Sequence, residues 1–264
     1  MNGKRLFTLV VSVFTAIFIL AGCYQSTATP ELITASTSQL YPETAIYPGG
    51  HQIVGKSVNG LPIISFVLGQ GPDVTFILAT IHGDEPAGTP LVRYLRKYLQ
   101  EHPYLMEGRT VVLLSVANPD GMAQNSRFNA NGVDINRNFA TDNRVNTKRS
   151  GATALSEPEA RVIKQLIEQY SPGRIVSIHQ PYGCIDYDGP GTTLAVRMAQ
   201  YCDLPVKRLG PKPGSLGSYA GVTLGIPIIT FEMLDDDSEL DSDALWQRYG
   251  KALIAAIVYP DPVK

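Results

Sequence analysis

His82 and Glu85 stand three residues apart in Thr80-Ile81-His82-Gly83-Asp84-Glu85-Pro86, at the end of an apolar run from Val74 to Ile81. An imidazole and a carboxylate joined by a glycine turn can converge on one point, which is half of a metal site. The matching half is His179, which ends a second short apolar run, Ile175-Val176-Ser177-Ile178. Two imidazoles and one carboxylate make an open catalytic zinc set, with the fourth position left to water. His82, Glu85 and His179 are therefore the candidate ligands of one zinc ion per chain. The remaining histidines, His51 and His102, fall in loop and helix-end contexts and read as solvated surface residues.

The elements that must position these groups follow from pattern. An apolar run that stops at a turn, with Pro86 at the first helical position, reads as strand, tight loop, helix, and it places His82 and Glu85 at the carboxyl edge of a sheet. In open α/β sheets that edge is where ligands bind. Upstream, Gln52–Val58 and Leu61–Leu68 flank Asn59-Gly60, a hairpin signal. Downstream come a helix over Pro86–Gln100 with Leu91, Val92, Leu95, Tyr98 and Leu99 on one face, a strand over Thr110–Val116, and Asn118-Pro119-Asp120-Gly121, a turn by composition. Ser156-Glu157-Pro158-Glu159 reads as a capping box that opens a helix to about Tyr170; Ser171-Pro172-Gly173 ends it before the strand carrying His179. A helix over Thr192–Tyr201, a strand over Pro227–Phe231 ending at Glu232, and a last helix over Asp241–Val258 complete the chain. This alternation predicts an α/β fold: one domain with a mixed, mostly parallel twisted sheet and helices on both faces.

A chain of 264 residues with 44% hydrophobic and 17% charged content can bury a substantial core, and its formal net charge of −2 gives no reason to expect nucleic acid as a partner. The amino terminus is distinct. Lys4 and Arg5 precede an apolar run from Leu6 to Leu20 and then Leu20-Ala21-Gly22-Cys23, which resembles a bacterial lipoprotein signal. That resemblance implies removal of residues 1–22, lipidation of Cys23, and a membrane-anchored protein outside the cytoplasm. Tyr24 in place of an inner-membrane retention aspartate favours the periplasmic face of the outer membrane in an organism that has one. Residues 23–50, rich in Ser, Thr, Ala and Pro, read as a flexible tether, and 51–264 as the catalytic domain. Cys184 and Cys202 are open to two readings, a disulfide or two small buried thiols.

From Met122 to Gly151 apolar periodicity nearly vanishes while Asn125, Arg127, Asn129, Asn131, Asn136, Arg137 and Asn138 accumulate. Long irregular segments inside compact domains are usually functional. Taken in order, His82-Gly83-Asp84-Glu85, Asn118-Pro119-Asp120-Gly121, the run Arg127 to Phe139, His179 and Phe231-Glu232 resemble the zinc metallocarboxypeptidases, and within them the compact bacterial murein peptide amidases. The resemblance extends from about residue 50 to the carboxyl terminus.

It implies zinc on His82, Glu85 and His179, Glu232 as general acid and base, Arg127 facing the oxyanion, and Asn136 with Arg137 gripping a substrate carboxylate. Asp134 reads as a residue that orients the loop or a metal ligand, and Asp235-Asp236-Asp237 as a solvated acidic turn. The chain departs from the larger carboxypeptidases where they carry a mobile tyrosine: Lys207 to Gly214 has none, and Tyr182, Tyr187 and Tyr219 are the available substitutes. The implied activity is zinc-dependent hydrolysis of a peptide-type amide in a peptidoglycan-derived peptide, at the bond between γ-D-glutamate and diaminopimelate. The alternatives are a carboxypeptidase on other peptides, a deacylase of small N-acyl amino acids, and a wall-binding scaffold on a hydrolase fold.

Overall fold

A computed structural model describes residues 50–263. The signal segment, Cys23 and nearly all of the tether lie outside the described residues, and among those described no helix is long and apolar enough to cross a membrane.

Seven strands form one sheet: β1 (His51–Lys56), β2 (Pro62–Gly69), β3 (Asp73–Ala79), β4 (Arg109–Leu114), β5 (Arg174–His179), β6 (Tyr182–Asp188) and β7 (Ile228–Leu234), in the order β1-β2-β4-β3-β5-β7-β6. The central pairs β4-β3, β3-β5 and β5-β7 are parallel, while β1-β2, β2-β4 and β6-β7 are antiparallel. The expected hairpin is present, with Gly60 at φ +83° in its turn. From β3 the chain adds β4 on one side and β5 on the other, so the strand order reverses between β3 and β5, and in open sheets ligands bind at such a switch point.

Successive side chains of a strand face opposite ways. Ile77, Val176, Ile178, Ile229 and Phe231 pack on one side with α1 (Gly88–Glu101), α4 (Thr192–Ala199) and α5 (Ser242–Val258). Phe76, Leu78, Val112, Ile175 and Ile228 pack on the other with α3 (Pro158–Tyr170). Burial on both faces is why these strands read as continuous apolar runs.

Several expectations are corrected. The first helix begins at Gly88 rather than Pro86: Pro86 stays in a turn that its carbonyl closes with Thr89 N–H, and the Ala87 N–H donates to Gln180 Oε1 at 3.1 Å. Asn118-Pro119-Asp120-Gly121 is the start of a short helix, α2 (Pro119–Ala123), because the Asn118 side chain caps it by accepting from Gly121 N–H at 2.9 Å. The capping box is absent; α3 is entered through Glu157 with no side-chain cap, since Asn138 engages Ser156 Oγ while Glu159 accepts from Val58 N–H and Asn129. β7 runs two residues past Glu232, because β6, a strand not foreseen, pairs with it as far as Leu234. Asp237 is not solvated: it is fully buried and accepts from Tyr249 Oη at 2.6 Å and Leu234 N–H at 2.8 Å, with Arg248 beside it. Half-buried His102 closes the end of α1, its ring 2.8 Å from the Tyr98 carbonyl. Cys184 and Cys202 are free thiols.

The irregular segment 122–151 sends Ile135 and Phe139 into the core, and between those anchors it is held by buried amides. Asn138, with no exposed surface, donates to the Ser150 and Thr153 carbonyls and to Ser156 Oγ, and accepts from Glu157 N–H at 3.0 Å. Asn129 ties the same segment to Glu157 at 2.7 Å and Glu159 at 3.0 Å. Asn138→Ala leaves these buried groups unpaired and is expected to lower the unfolding free energy by about 2–4 kcal/mol, whereas Asp142→Ala, at an exposed position of the same segment, is expected to cost under about 1 kcal/mol. Urea unfolding of both variants is the check, and equal costs would remove Asn138 as the anchor.

Candidate metal centre

β3 ends at Ala79, and the chain then turns through Thr80, a buried β-branched residue at φ +53°, where a side chain is strained. The turn is held from three directions. Asn118 N–H donates to the Thr80 carbonyl at 2.9 Å, the Asn118 amide reaches the Ile81 carbonyl at 3.4 Å, and Thr80 Oγ1 lies 2.7 Å from Thr89 Oγ1. Gly83 packs against Gly121 so closely that a Cβ on Gly83 would lie 1.9 Å from the Gly121 carbonyl carbon. The exit loops of β3 and β4 thus lock together and aim His82 and Glu85 toward the end of β5.

There the ligand groups meet. His82 Nδ1 lies 2.7 Å from Glu85 Oε1 and His179 Nδ1 2.8 Å from Glu85 Oε2; all three residues are buried. The ligand atoms lie within 4.8 Å of one another, the only such cluster among the described residues. Each ring's second nitrogen is engaged elsewhere, His82 Nε2 with Asp134 Oδ1 at 3.1 Å and His179 Nε2 with Ser177 Oγ at 3.1 Å. Those partners fix the ring orientation and leave both Nδ1 atoms directed at the shared carboxylate, the arrangement that metal-binding histidines adopt. A divalent cation with borderline-soft nitrogen and oxygen preferences fits this donor set.

Charge is concentrated here. Burial works to raise the Glu85 carboxyl, but the His179 and His82 partners overcome it and hold it well below the usual carboxylate range. Asp134 behaves likewise, burial being outweighed by the bond from His82 and by the Arg127 charge. Arg127 Nε donates to Asp134 Oδ2 at 3.0 Å and its Nη1 to Glu85 Oε1 at 3.3 Å, so its guanidinium is braced by the same two carboxylates that hold the imidazoles. Burial lowers the His179 pKa, whereas the hydrogen bonds to Asp134 and Glu85 outweigh burial and raise that of His82.

Glu232 sits within β7 directly beside His179 of β5, not at the strand end. It is 6% exposed, its Oε2 has no hydrogen-bond partner, and burial followed by the negative charge of Glu85 pushes its pKa up to about 8. A cation among the ligands would offset the Glu85 charge and favour the ionised form. Asn136 and Arg137 line the same cleft from a single 3-10 turn. Asn136 Oδ1 accepts from Leu216 N–H at 2.8 Å, which leaves its amide N–H groups as what it can offer a ligand, and Arg137 Nη1 donates to the Asn136 carbonyl at 2.5 Å.

The structure therefore brings His82, Glu85, His179, Arg127, Asn136, Arg137 and Glu232 to one cleft. Asp134 lies behind His82, as the sequence suggested. Two contributors were missed. Ser177 stands two residues before His179 on one strand and so shares its face, a signal period-two alternation carries. Gln180, with its N–H on Glu85 Oε2 at 3.2 Å and its side chain spanning Ala87 N–H and the Leu234 carbonyl, had no sequence signal. Of the tyrosines, Tyr182 lines the cleft and is exposed, while Tyr219 is buried against Phe139.

A family model described as zinc carboxypeptidase matches residues 43–187. Murein peptide amidase A of Escherichia coli strain K12 is 32% identical over 226 residues, spanning 78% of this chain and 89% of that protein. The murein peptide amidase A of Vibrio campbellii is 30% identical over 227 residues, spanning 79% and 87%. Among solved structures, the murein-tripeptide amidase of Escherichia coli O157 superposes with a TM-score of 0.63 at 28% identity, over 84% of this chain and 96% of that one. Bovine thrombin-activatable fibrinolysis inhibitor, with a TM-score of 0.67 at 17% identity over 84% and 91%, shares the fold. With a family match over more than half its length and relatives aligned along most of the domain, the chain belongs to the zinc carboxypeptidase family and is a metallopeptidase-type hydrolase.

Proposed function

We propose that this enzyme hydrolyses the amide between the γ-carboxyl of D-glutamate and diaminopimelate in peptidoglycan-derived peptides, with one zinc ion on His82, Glu85 and His179. The observation that carries the reading is the Glu232 carboxylate, buried and with an unpartnered oxygen, in the same cleft as the three converging ligands and the Asn136–Arg137 turn. Relatives named as murein peptide amidases, aligned along most of the chain, favour this substrate over other peptides.

Zinc bound there would supply Lewis acidity and lower the pKa of a bound water to about 7. Glu232 takes the proton of the attacking water and delivers it to the leaving amine. Arg127, braced by Asp134 and Glu85, presents fixed positive charge where the oxyanion develops. Asn136 and Arg137 hold a carboxylate on the leaving residue, Arg137 by its two-pronged donor geometry. A scaffold on a disabled hydrolase fold would lack a ligand or the base, and His82, Glu85, His179 and Glu232 are all in place. The lipoprotein-like segment ending at Cys23 supports a membrane-anchored enzyme outside the cytoplasm, where peptidoglycan lies.

Mass spectrometry after incubation with a defined diaminopimelate-containing tripeptide tests the reading; release of free diaminopimelate is expected, and an uncut peptide would defeat it. Zinc is expected at about one ion per chain in the purified protein and to be lost in His179→Ala; full retention there would remove His179 from the site. Glu232→Gln is expected to keep its zinc and turn over at least about a hundredfold more slowly, since proton transfer contributes roughly that much or more. Arg137→Ala, and amidation of the leaving-residue carboxylate, are each expected to cost on the order of 2–4 kcal/mol in kcat/KM, and the two losses are expected not to add. Full additivity would show that the arginine and the carboxylate do not meet.

A further inference from the structure

Past the metal centre the cleft continues along the antiparallel pair of β6 and β7. Cys184 stands opposite Glu232, Asp186 opposite Thr230, and Asp188 opposite Ile228. Alternate residues share a face, and Asp186 and Asp188 line the cleft together with Glu232. At about 3.3 Å per residue, Asp186 lies roughly 7 Å and Asp188 roughly 13 Å along the strands from the rung of Glu232.

Both aspartates are buried, 5% and 4% exposed. Asp186 Oδ1 accepts from Leu209 N–H at 2.8 Å. Asp188 Oδ1 is buried without a hydrogen-bond partner, and its Oδ2 sits so close to Gly217 that a Cβ there would be 2.1 Å away. The cations whose charge reaches Asp188 are Arg208 and Lys212, both exposed, and Lys212 also lines the cleft. Asp186 is matched by that backbone donor, whereas Asp188 keeps a buried oxygen with nothing to meet it and forms no ion pair among the described residues, a cost to stability that a role confined to folding does not explain. The cost is visible in Asp188, which burial, and then the Asp186 charge, hold up at about 6. Asp186 and Asp188 stand apart from the His82, Glu85 and His179 cluster, and two carboxylates two positions apart on one strand can share one organic ammonium.

We infer that Asp186 and Asp188 form a second recognition subsite that takes a primary ammonium on the side chain of the leaving residue, with Lys212 at its rim for a carboxylate on the same carbon. The inference rests on the proposed function for the direction in which the substrate lies. The spacing agrees with it. In a 2,6-diamino acid the two nitrogens are separated by five carbons, roughly 7 Å apart when extended at bond lengths of about 1.5 Å. With the scissile nitrogen beside Glu232, the distal ammonium reaches the Asp186 rung, with Asp188 the next carboxylate along the same face. Asp186 and Asp188 are thus specificity residues for the far end of the leaving group, separate from Arg137 at its near end.

The test uses the zinc-loaded full chain and three γ-D-glutamyl peptides whose leaving residues are diaminopimelate, lysine, which keeps the ammonium but lacks the distal carboxylate, and 2-aminopimelate, which keeps the carboxylate but lacks the ammonium. The wild-type kcat/KM is expected to fall at least about tenfold on loss of the ammonium, as for a buried polar group left unpaired by an analogue. In Asp186→Asn/Asp188→Asn that ratio is expected to shrink to about twofold or less, with zinc content confirming an assembled site. An unchanged ratio in the double variant, or no ammonium preference in the wild type, would overturn the subsite. Should none of the peptides be cut, the proposed substrate fails on its own. Calorimetry with free diaminopimelate and 2-aminopimelate then decides the subsite, which stands on tighter binding of the diamine that the double variant loses and falls on equal or absent binding.

Discussion

One buried carboxylate, Glu85, organises the site. Taking an ion out of water costs several kcal/mol unless its oxygens are matched by donors, and removing a single partner from such a group leaves the cost exposed. Both oxygens of Glu85 are matched: Oε1 by His82 and Arg127, Oε2 by His179 and the Gln180 backbone. Those partners come from the exit loop of β3, the irregular segment and the end of β5, so satisfying one carboxylate fixes the mutual placement of three otherwise independent pieces of chain. The adjacency of parallel β3 and β5, in register from Thr75 opposite Arg174 to Ala79 opposite Ile178, delivers them to the same edge.

The loops are shaped by close backbone approach as much as by side chains. Gly83 and Gly121 belong to separate short motifs: Gly83 is glycine because its backbone touches that of Gly121, and Gly121 because a Cβ there would meet the Asn118 side chain and the Phe128 carbonyl. The contact brings Asn118 within reach of Thr80 and Ile81 and stabilises a conformation that threonine disfavours. The first ligand therefore rests on a strained turn propped by a neighbouring strand's exit loop, which is why the two motifs occur together.

Much of this was legible in the sequence. The central strands announce themselves because parallel strands buried on both faces are apolar throughout, and the ligands were found because they lie at the ends of those runs. β6 was not legible. Its inward positions Asp186 and Asp188 carry polar groups toward the cleft, so the strand lacks the apolar alternation by which strands are recognised. The capping box at Ser156 failed because Asn138 and Asn129, distant in sequence, compete for the same side chains. Asp237 looked like part of a solvated run because its partner Tyr249 lies about two helix turns into α5, outside the local run. The errors share a cause: polar side chains whose partners are far along the chain leave no periodic trace.

The distance in sequence between the ligands has a further meaning. Glu85 and His179 are 94 residues apart, and they meet only when β3 and β5 have paired. An unfolded chain offers a His-x-x-Glu fragment but not the third group, so a cation held by all three would discriminate strongly between folded and unfolded forms. Mass action then couples the two equilibria: a free metal concentration a hundred times the dissociation constant adds about 2.7 kcal/mol to the stability of the folded state. An ion bound there would in that sense report on tertiary structure, and scavenging it from the surroundings would shorten the lifetime of the protein as well as silence it.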